Sequence, residues 1–236
     1  MECAVATVVA GAQDVEATYA LVTDADDVIY LQTERRIFGT TEGFAATADS
    51  KAPRLRLALE EVAVGVTKGF LRLEAAASSG AEGQLLAQEI ERQLTSEEVD
   101  PDATWTMPPL RRQRLRVFQD LWERGYFVTF GSKFGADFLI YKGDPKKAHA
   151  VALIIVKSYD EEFARADVVS FCRVAKMVKK QLLFACVQPL DGGERTNFRK
   201  EDASNDSDGT EAWTNRIVYI SLSHALLVSH QEENDG

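Results

Sequence analysis

Apolar and polar positions repeat with a period of two in some stretches of this chain and of three to four in others. The changes of period mark its elements. Residues 4–9 and 28–31 are short β-branched runs that read as strands. The interval Arg35-Arg36-Ile37-Phe38-Gly39-Thr40-Thr41-Glu42-Gly43-Phe44 is a turn-rich connection with two glycines. Over residues 57–66 the apolar groups fall at helical spacing. That pattern stops at Lys68-Gly69, ahead of a strand-like Phe70-Leu71-Arg72-Leu73. Residues 75–100 are rich in Ala, Ser, Gly, Glu and Gln; 82–94 reads as a solvated helix, and Pro101, Pro108 and Pro109 close the stretch. These features predict an N-terminal α/β domain over 1–74 and a linker carrying one helix over 75–109.

Beyond Pro109 the pattern is denser. Leu110, Arg114, Val117, Phe118, Leu121 and Trp122 stand in the i, i+3, i+4 relation of an amphipathic helix over 110–124, and Gly125 supplies its stop. Strands are predicted at 126–130, 137–141 and 149–156, separated by turns at Gly131-Ser132 and Gly143-Asp144-Pro145. A helix over 167–180, periodic through Val168, Phe171, Ala175 and Val178, runs into an apolar strand at 182–187. Residues 191–211 form an acidic, Gly-, Asp-, Ser- and Asn-rich insert expected to be mobile. A final strand occupies 216–222 and a loose tail 231–236. The fold class is α/β (α+β), with the second domain spanning 110–230. No internal repeat is present.

Composition narrows the function classes. A chain of 236 residues, 45% hydrophobic, is long enough to bury a sizeable core. Three cysteines, Cys3, Cys172 and Cys186, are odd in number and lack CxxC spacing, which excludes a disulfide scaffold and points to a reducing compartment. With no basic n-region and only a short early apolar run at 4–12, a secretory signal is not expected, and the longest clear apolar run, 148–156, is far short of membrane-spanning length. A net charge of −10 argues against a general nucleic-acid binder. Resolved along the chain, that argument changes. Residues 1–109 hold 8 basic and 19 acidic groups, residues 188–236 hold 4 and 10, but residues 110–187 hold 15 and 8, a net +7. A polyanion site belongs in that central block.

Tyr141, His149 and Lys180 stand out within the block because each lies where one element ends and another begins. Together they suit metal-free RNA cleavage. One group takes the 2′-hydroxyl proton, one protonates the departing 5′-oxygen, and a cation meets the charge growing on the phosphorane. Each residue also has an ordinary reading: a half-buried packing tyrosine, a surface histidine, a lysine facing a helix C-terminus. Spacing alone leaves those ordinary readings ahead.

The surrounding words change the weighing. Val117-Phe118-Gln119-Asp120-Leu121-Trp122-Glu123-Arg124-Gly125-Tyr126-Phe127, then Gly131-Ser132-Lys133-Phe134-Gly135-Ala136-Asp137-Phe138-Leu139-Ile140-Tyr141-Lys142-Gly143-Asp144-Pro145, then His149-Ala150, and later Val178-Lys179-Lys180-Gln181-Leu182-Leu183-Phe184, closely resemble the catalytic domain of the tRNA-splicing endonuclease (tRNA-intron lyase) family. The resemblance covers about 111–187 and extends to 216–222. A fainter echo at 39–43 and 54–69, and the Gly-Asp-Pro after the tyrosine, point to the eukaryotic catalytic subunit that cuts the 3′ splice site. The resemblance implies a catalytic domain with a central mixed sheet flanked by helices. It also implies Tyr141 as general base, His149 as general acid and Lys180 as phosphorane stabiliser, with no metal or other cofactor, leaving a 2′,3′-cyclic phosphate and a 5′-hydroxyl.

The same family clamps a base at the other subunit's cut between a cation and an aromatic ring. Arg173 matches the cation; at the position of the usual tryptophan this chain has His224, after Ser221-Leu222-Ser223, with Trp213 as an alternative ring. The implied partners are an intron-containing pre-tRNA, a second catalytic subunit and two structural subunits in a heterotetramer, with no membrane insertion, in the nucleus or at the mitochondrial outer surface. The last strand offers an edge for subunit pairing. Gly131, Gly135 and Gly143 are assigned to turns, Lys133 and Asp137 to an ion pair or plain surface charge, and Arg111, Arg112, Arg114 and Arg116 to a solvated helix face outside the site. A non-catalytic structural subunit ranks second, although such a subunit tends to lose the Tyr/His/Lys set. A metal-dependent DNA nuclease ranks lower, because 149–157 has no acid to hold magnesium. An RNA-binding module ranks last, lacking any RNP, KH or zinc-knuckle pattern.

Overall fold

The computed structural model describes residues 3–9, 18–42, 54–76, 79–95, 106–188 and 216–222. Its first half builds a five-stranded sheet from β1 (Ala4–Val9), β2 (Tyr19–Val22), β3 (Thr40–Glu42), β4 (Arg54–Leu57) and β5 (Leu71–Ala75), in the order β3-β4-β2-β1-β5. Only β1 and β5 run parallel. Helices α1 (Ala25–Thr33), α2 (Leu59–Thr67) and α3 (Gly80–Thr95) accompany it.

Three local expectations change here. The apolar run at 28–31 belongs to α1, not to a strand: Asp24 caps the helix by accepting from the amides of Asp26 at 2.9 Å and Asp27 at 3.1 Å. Val28 and Leu31, three apart, are the residues that α1 buries. Helix α3 is not solvated all round, since Ala87, Ile90 and Leu94 are buried where it packs on α2 and β5. Strands β2, β3 and β4 lie where no strand is predicted: β3 falls inside the connection at 35–44, and Leu57, the end of β4, falls inside the run read as helical.

The second half contains α4 (Pro109–Glu123), β6 (Phe127–Phe130), a 3₁₀ turn (Ser132–Phe134), β7 (Phe138–Tyr141), β8 (Ala152–Ser158), α5 (Arg165–Met177), β9 (Gln181–Val187) and β10 (Ile217–Leu222). Its sheet has the order β10-β9-β8-β7-β6. β8 and β9 are parallel and joined through α5, while every other pair is antiparallel. The protein is therefore a mixed α/β structure, with two mixed sheets and five helices among the described residues. Proline at the first position of α4 is preorganised for the helix, and Gly125, at φ 89°, ends it.

Central strand β8 is buried at five consecutive positions, Ala152 to Val156, as a strand covered on both faces must be. One face meets α4, where Phe118 packs edge-on against Phe138 with ring centroids 5.5 Å apart. The other face meets α5: Leu139, Leu153 and Ile155 lie with Ala175 and Phe184. The first of these cores continues without a break into the N-terminal sheet.

Polar contacts reinforce that junction. The Glu60 side chain is 0% exposed and pairs with Arg111 and Arg114. Arg36 donates to the Tyr126 carbonyl at 3.1 Å with its guanidinium 4.7 Å from the Trp122 ring, while the Trp122 indole donates to the Arg35 carbonyl at 2.8 Å. Among the described residues no helix is long and apolar enough to cross a membrane.

Candidate active site

Strand directions bring the three candidate residues to one end of the second sheet. β7 runs toward Tyr141, whereas β8 and β9 both start beside it. Strand β8 begins at Ala152, so His149 precedes the strand that was expected to include it. The backbone ties the three segments together: the Val151 amide donates to the Ile140 carbonyl at 2.8 Å and the Gln181 amide to the Val151 carbonyl at 3.1 Å. Tyr141 is half-buried, its ring resting against the core beneath α5, and His149 is exposed. Lys180 is half-buried, and its ammonium donates to the Ala150 carbonyl at 3.0 Å, one residue from His149.

The exit from α5 explains where Lys180 stands. The Lys180 amide donates back to the Ala175 carbonyl at 2.9 Å and the Lys179 amide to the Lys176 carbonyl at 3.1 Å. This is the Schellman pattern, and it puts Lys179 at φ 53°, the left-handed position that glycine usually takes. The chain then turns directly into β9 with Lys180 at its mouth.

The loop between Tyr141 and His149 is also held. The Asp144 carbonyl accepts from the amides of Lys147 at 2.9 Å and Ala148 at 2.8 Å, and its carboxylate accepts from the Lys146 amide at 2.9 Å. Lys146 in turn donates to Gln32 of α1 at 2.7 Å, so the N-terminal half touches the loop that carries the candidate site.

Other candidate residues divide clearly. Arg173 is exposed on α5, seven residues before Lys180. His224, Trp213 and the insert 191–211 lie outside the described residues. Asp137 does not pair with Lys133. It accepts from the Val156 amide at 2.7 Å and pairs with Arg114, which pins the start of β7 to β8. Arg111 and Arg114 likewise leave the solvated face assigned to them, because the buried Glu60 draws both inward. That role was hidden in the sequence, although two acids, Glu60 and Glu61, at the start of an otherwise apolar helix were its one signal.

Beside Lys180 lies a cleft of about 400 Å³ bounded by Val151, Cys172, Lys176, Lys179, Gln181 and Ser221. No group of three or more His, Cys, Asp or Glu that could hold a metal occurs among the described residues.

The second sheet thus carries a tyrosine, a histidine and a lysine at one end of its adjacent strands, with α4 packed across one face. This part of the chain, residues 112–195, matches the family model for the tRNA intron endonuclease, catalytic C-terminal domain. It is similar to tRNA-splicing endonuclease subunit Sen34 of Mus musculus, 40% identical over 81 residues, which is 34% of this chain and 26% of that protein. The Homo sapiens Sen34 subunit is 37% identical over 81 residues, with the same coverage. The tRNA-splicing endonuclease of Saccharolobus solfataricus is 39% identical over 80 residues, 34% of this chain and 44% of that protein. The matched segment thus spans about a quarter of the mammalian relatives' length and under half of the archaeal one's. It includes Tyr141, His149, Arg173 and Lys180 but not His224.

Proposed function

We propose that this chain is a catalytic subunit of a tRNA-splicing endonuclease, cutting the 3′ splice site of intron-containing pre-tRNA without a metal. The observation that carries the reading is the meeting of Tyr141, His149 and Lys180 at one end of adjacent strands, inside the segment that matches the family's catalytic domain.

In the proposed reaction the Tyr141 phenolate oxygen takes the proton from the 2′-hydroxyl, and O2′ attacks the adjacent phosphorus. The bond from phosphorus to O5′ breaks as the His149 imidazolium delivers its proton to that oxygen. Lys180 meets the charge on the non-bridging oxygens. An ammonium has three N–H donors, and the Ala150 carbonyl engages one, leaving two for phosphate while the tether limits the side chain's freedom. The products are a 2′,3′-cyclic phosphate and a 5′-hydroxyl.

Arg173 and His224 are proposed to clamp a base at the partner subunit's cut. A second catalytic subunit and two structural subunits complete the proposed assembly, in the nucleus. Among the described residues β10 pairs only with β9, and Ile220 is 41% exposed, which supports β10 as a subunit-joining edge.

The test is cleavage of an intron-containing pre-tRNA by the assembled complex in the presence of chelator. Wild type is expected to cut the 3′ site, and His149→Ala to be slower by about 10²- to 10⁴-fold. Equal rates would remove His149 from the role of acid, and loss of wild-type cutting on adding chelator would favour a metal nuclease. Arg173→Ala is expected to slow the partner's 5′ cut more than this subunit's own; equal slowing would dismiss the clamp.

A further inference from the structure

We infer that the cleft between the end of α5, the start of β9 and the end of β10 is a second phosphate subsite. Lys176 and Lys179 there hold an RNA phosphodiester flanking the one that is cut. The inference rests on the RNA-cleaving reading above and extends it to residues outside the Tyr141, His149 and Lys180 set.

Three lysines, Lys176, Lys179 and Lys180, open onto this cleft of about 400 Å³. Lys180 is already engaged with the Ala150 carbonyl. Lys176 and Lys179 are exposed, and neither has an acidic partner among the described residues. Lys176 in the last turn of α5 and Lys179 just past its end are like charges on one cleft, and a bound anion would relieve their repulsion. Gln181 and Ser221 add neutral polar side chains to the same walls, so an anion there would meet both cations and hydrogen-bonding groups. The cleft shares Lys180 with the candidate reaction centre, which suits a neighbouring phosphate of the same strand.

Capping of helical carbonyls is not what these lysines supply. Three of the last four carbonyls of α5 are satisfied by the backbone: Val174 accepts from Val178 at 3.0 Å, Ala175 from Lys180 at 2.9 Å and Lys176 from Lys179 at 3.1 Å. Lys179 also stands at φ 53°, where a Cβ is disfavoured and glycine is the usual choice. A side chain kept in a conformation that resists it is expected where that side chain does something.

That conformation supplies a clean experiment. Lys179→Gly removes the charge while relaxing the backbone, so a purely structural lysine predicts no loss in any assay. The full chain in its assembled form is titrated with a pre-tRNA made 2′-deoxy at the nucleotide before the cut, which removes the nucleophile, over a range of salt. Lys176→Gln combined with Lys179→Gly is expected to lower the slope of log K against log salt by about 0.7, the share of one phosphate, and to weaken binding roughly fourfold at 0.15 M salt, with each single change taking part of that. Lys179→Gly is expected to keep or raise the melting temperature. Lys133→Gln, an exposed lysine at the opposite end of β7, serves as the control.

An unchanged slope, or an equal fall in the Lys133 control, would overturn the subsite. Cleavage of ordinary pre-tRNA separates this result from the function itself. Wild type that cuts while the slopes stay unchanged keeps the endonuclease reading and loses the subsite. Wild type that binds through these lysines but does not cut keeps the subsite and loses the endonuclease reading.

Discussion

Replacing Arg114 by alanine strikes one of the polar contacts that join the two halves of the protein. Arg114 donates to the Glu60 carboxylate at 3.1 Å, pairs with Asp137, and lies with its guanidinium 5.1 Å from the Phe138 ring. Glu60 is 0% exposed, so its charge has no water to fall back on. Stripping one partner from a buried ion pair costs about 3–5 kcal/mol. Two features reduce that here: Arg111 still reaches Glu60 at 3.1 Å, and Arg114 is itself 24% exposed. The loss of the stacked ring contact adds about 0.5 kcal/mol. Together these place Arg114→Ala about 2 kcal/mol below wild type.

Glu60→Met is the informative comparison. It replaces the buried acid with an apolar side chain of similar size, and the two arginines, 17% and 24% exposed, keep a path to water. Its expected cost is within about 1 kcal/mol, smaller than that of removing a partner. Urea unfolding at pH 7, with the slope against denaturant checked for constancy, measures both variants. A shift under about 0.5 kcal/mol for Arg114→Ala, or an equal cost for Glu60→Met, would refute the claim that the uncompensated buried charge dominates. In a Glu60→Met background, Arg114→Ala should cost only what its contacts to Asp137 and Phe138 contribute, about 1 kcal/mol.

Two further predictions concern the same scaffold. Burial pushes the Glu61 carboxyl up to about 7, against the hydrogen bonds it accepts from Gly39 and Ala58, which pull it down. Between its ordinary value near 4.5 and about 7 the folded state holds a proton that the unfolded state has lost, so this contribution is complete below about 4.5 and is gone above about 7. Wild type should therefore lose about 3 kcal/mol relative to Glu61→Gln on going from pH 4.5 to 8; parallel stability curves would contradict this. The Tyr219 hydroxyl donates to Asp120 at 2.6 Å, and burial followed by that carboxylate raises its pKa. Tyr219→Phe should cost about 1.5–3 kcal/mol, the range for a hydrogen bond to a charged group, read as a lower melting temperature. No change would mean that β10 is held to α4 by packing alone.

Within single segments, the order of residues by itself determined a good deal. The 3.6-residue period and the prolines and glycines around it located α2, α4 and α5 to within a few residues, because burial of one helical face imposes that spacing locally. The words around Tyr141, His149 and Lys180 pointed to the family whose model residues 112–195 match, and resolving the charge along the chain directed attention to the block that carries them.

Tertiary structure decided what depends on residues far apart in sequence. A strand of three residues with no buried position, such as β3, displays no period, and it exists because β4 pairs with it. The apolar run at 28–31 turned helical because Asp24 caps it and its two buried residues lie three apart. Arg111 and Arg114 looked like a charged surface until Glu60, more than fifty positions away, drew them inward. Even the candidate site exists only through strand order: a parallel β8–β9 pair beside an antiparallel β7–β8 pair brings residues 141, 149 and 180 to one edge. Local order encodes period and punctuation, whereas which charges become buried and which loop ends meet is set by the register and direction in which distant strands pair.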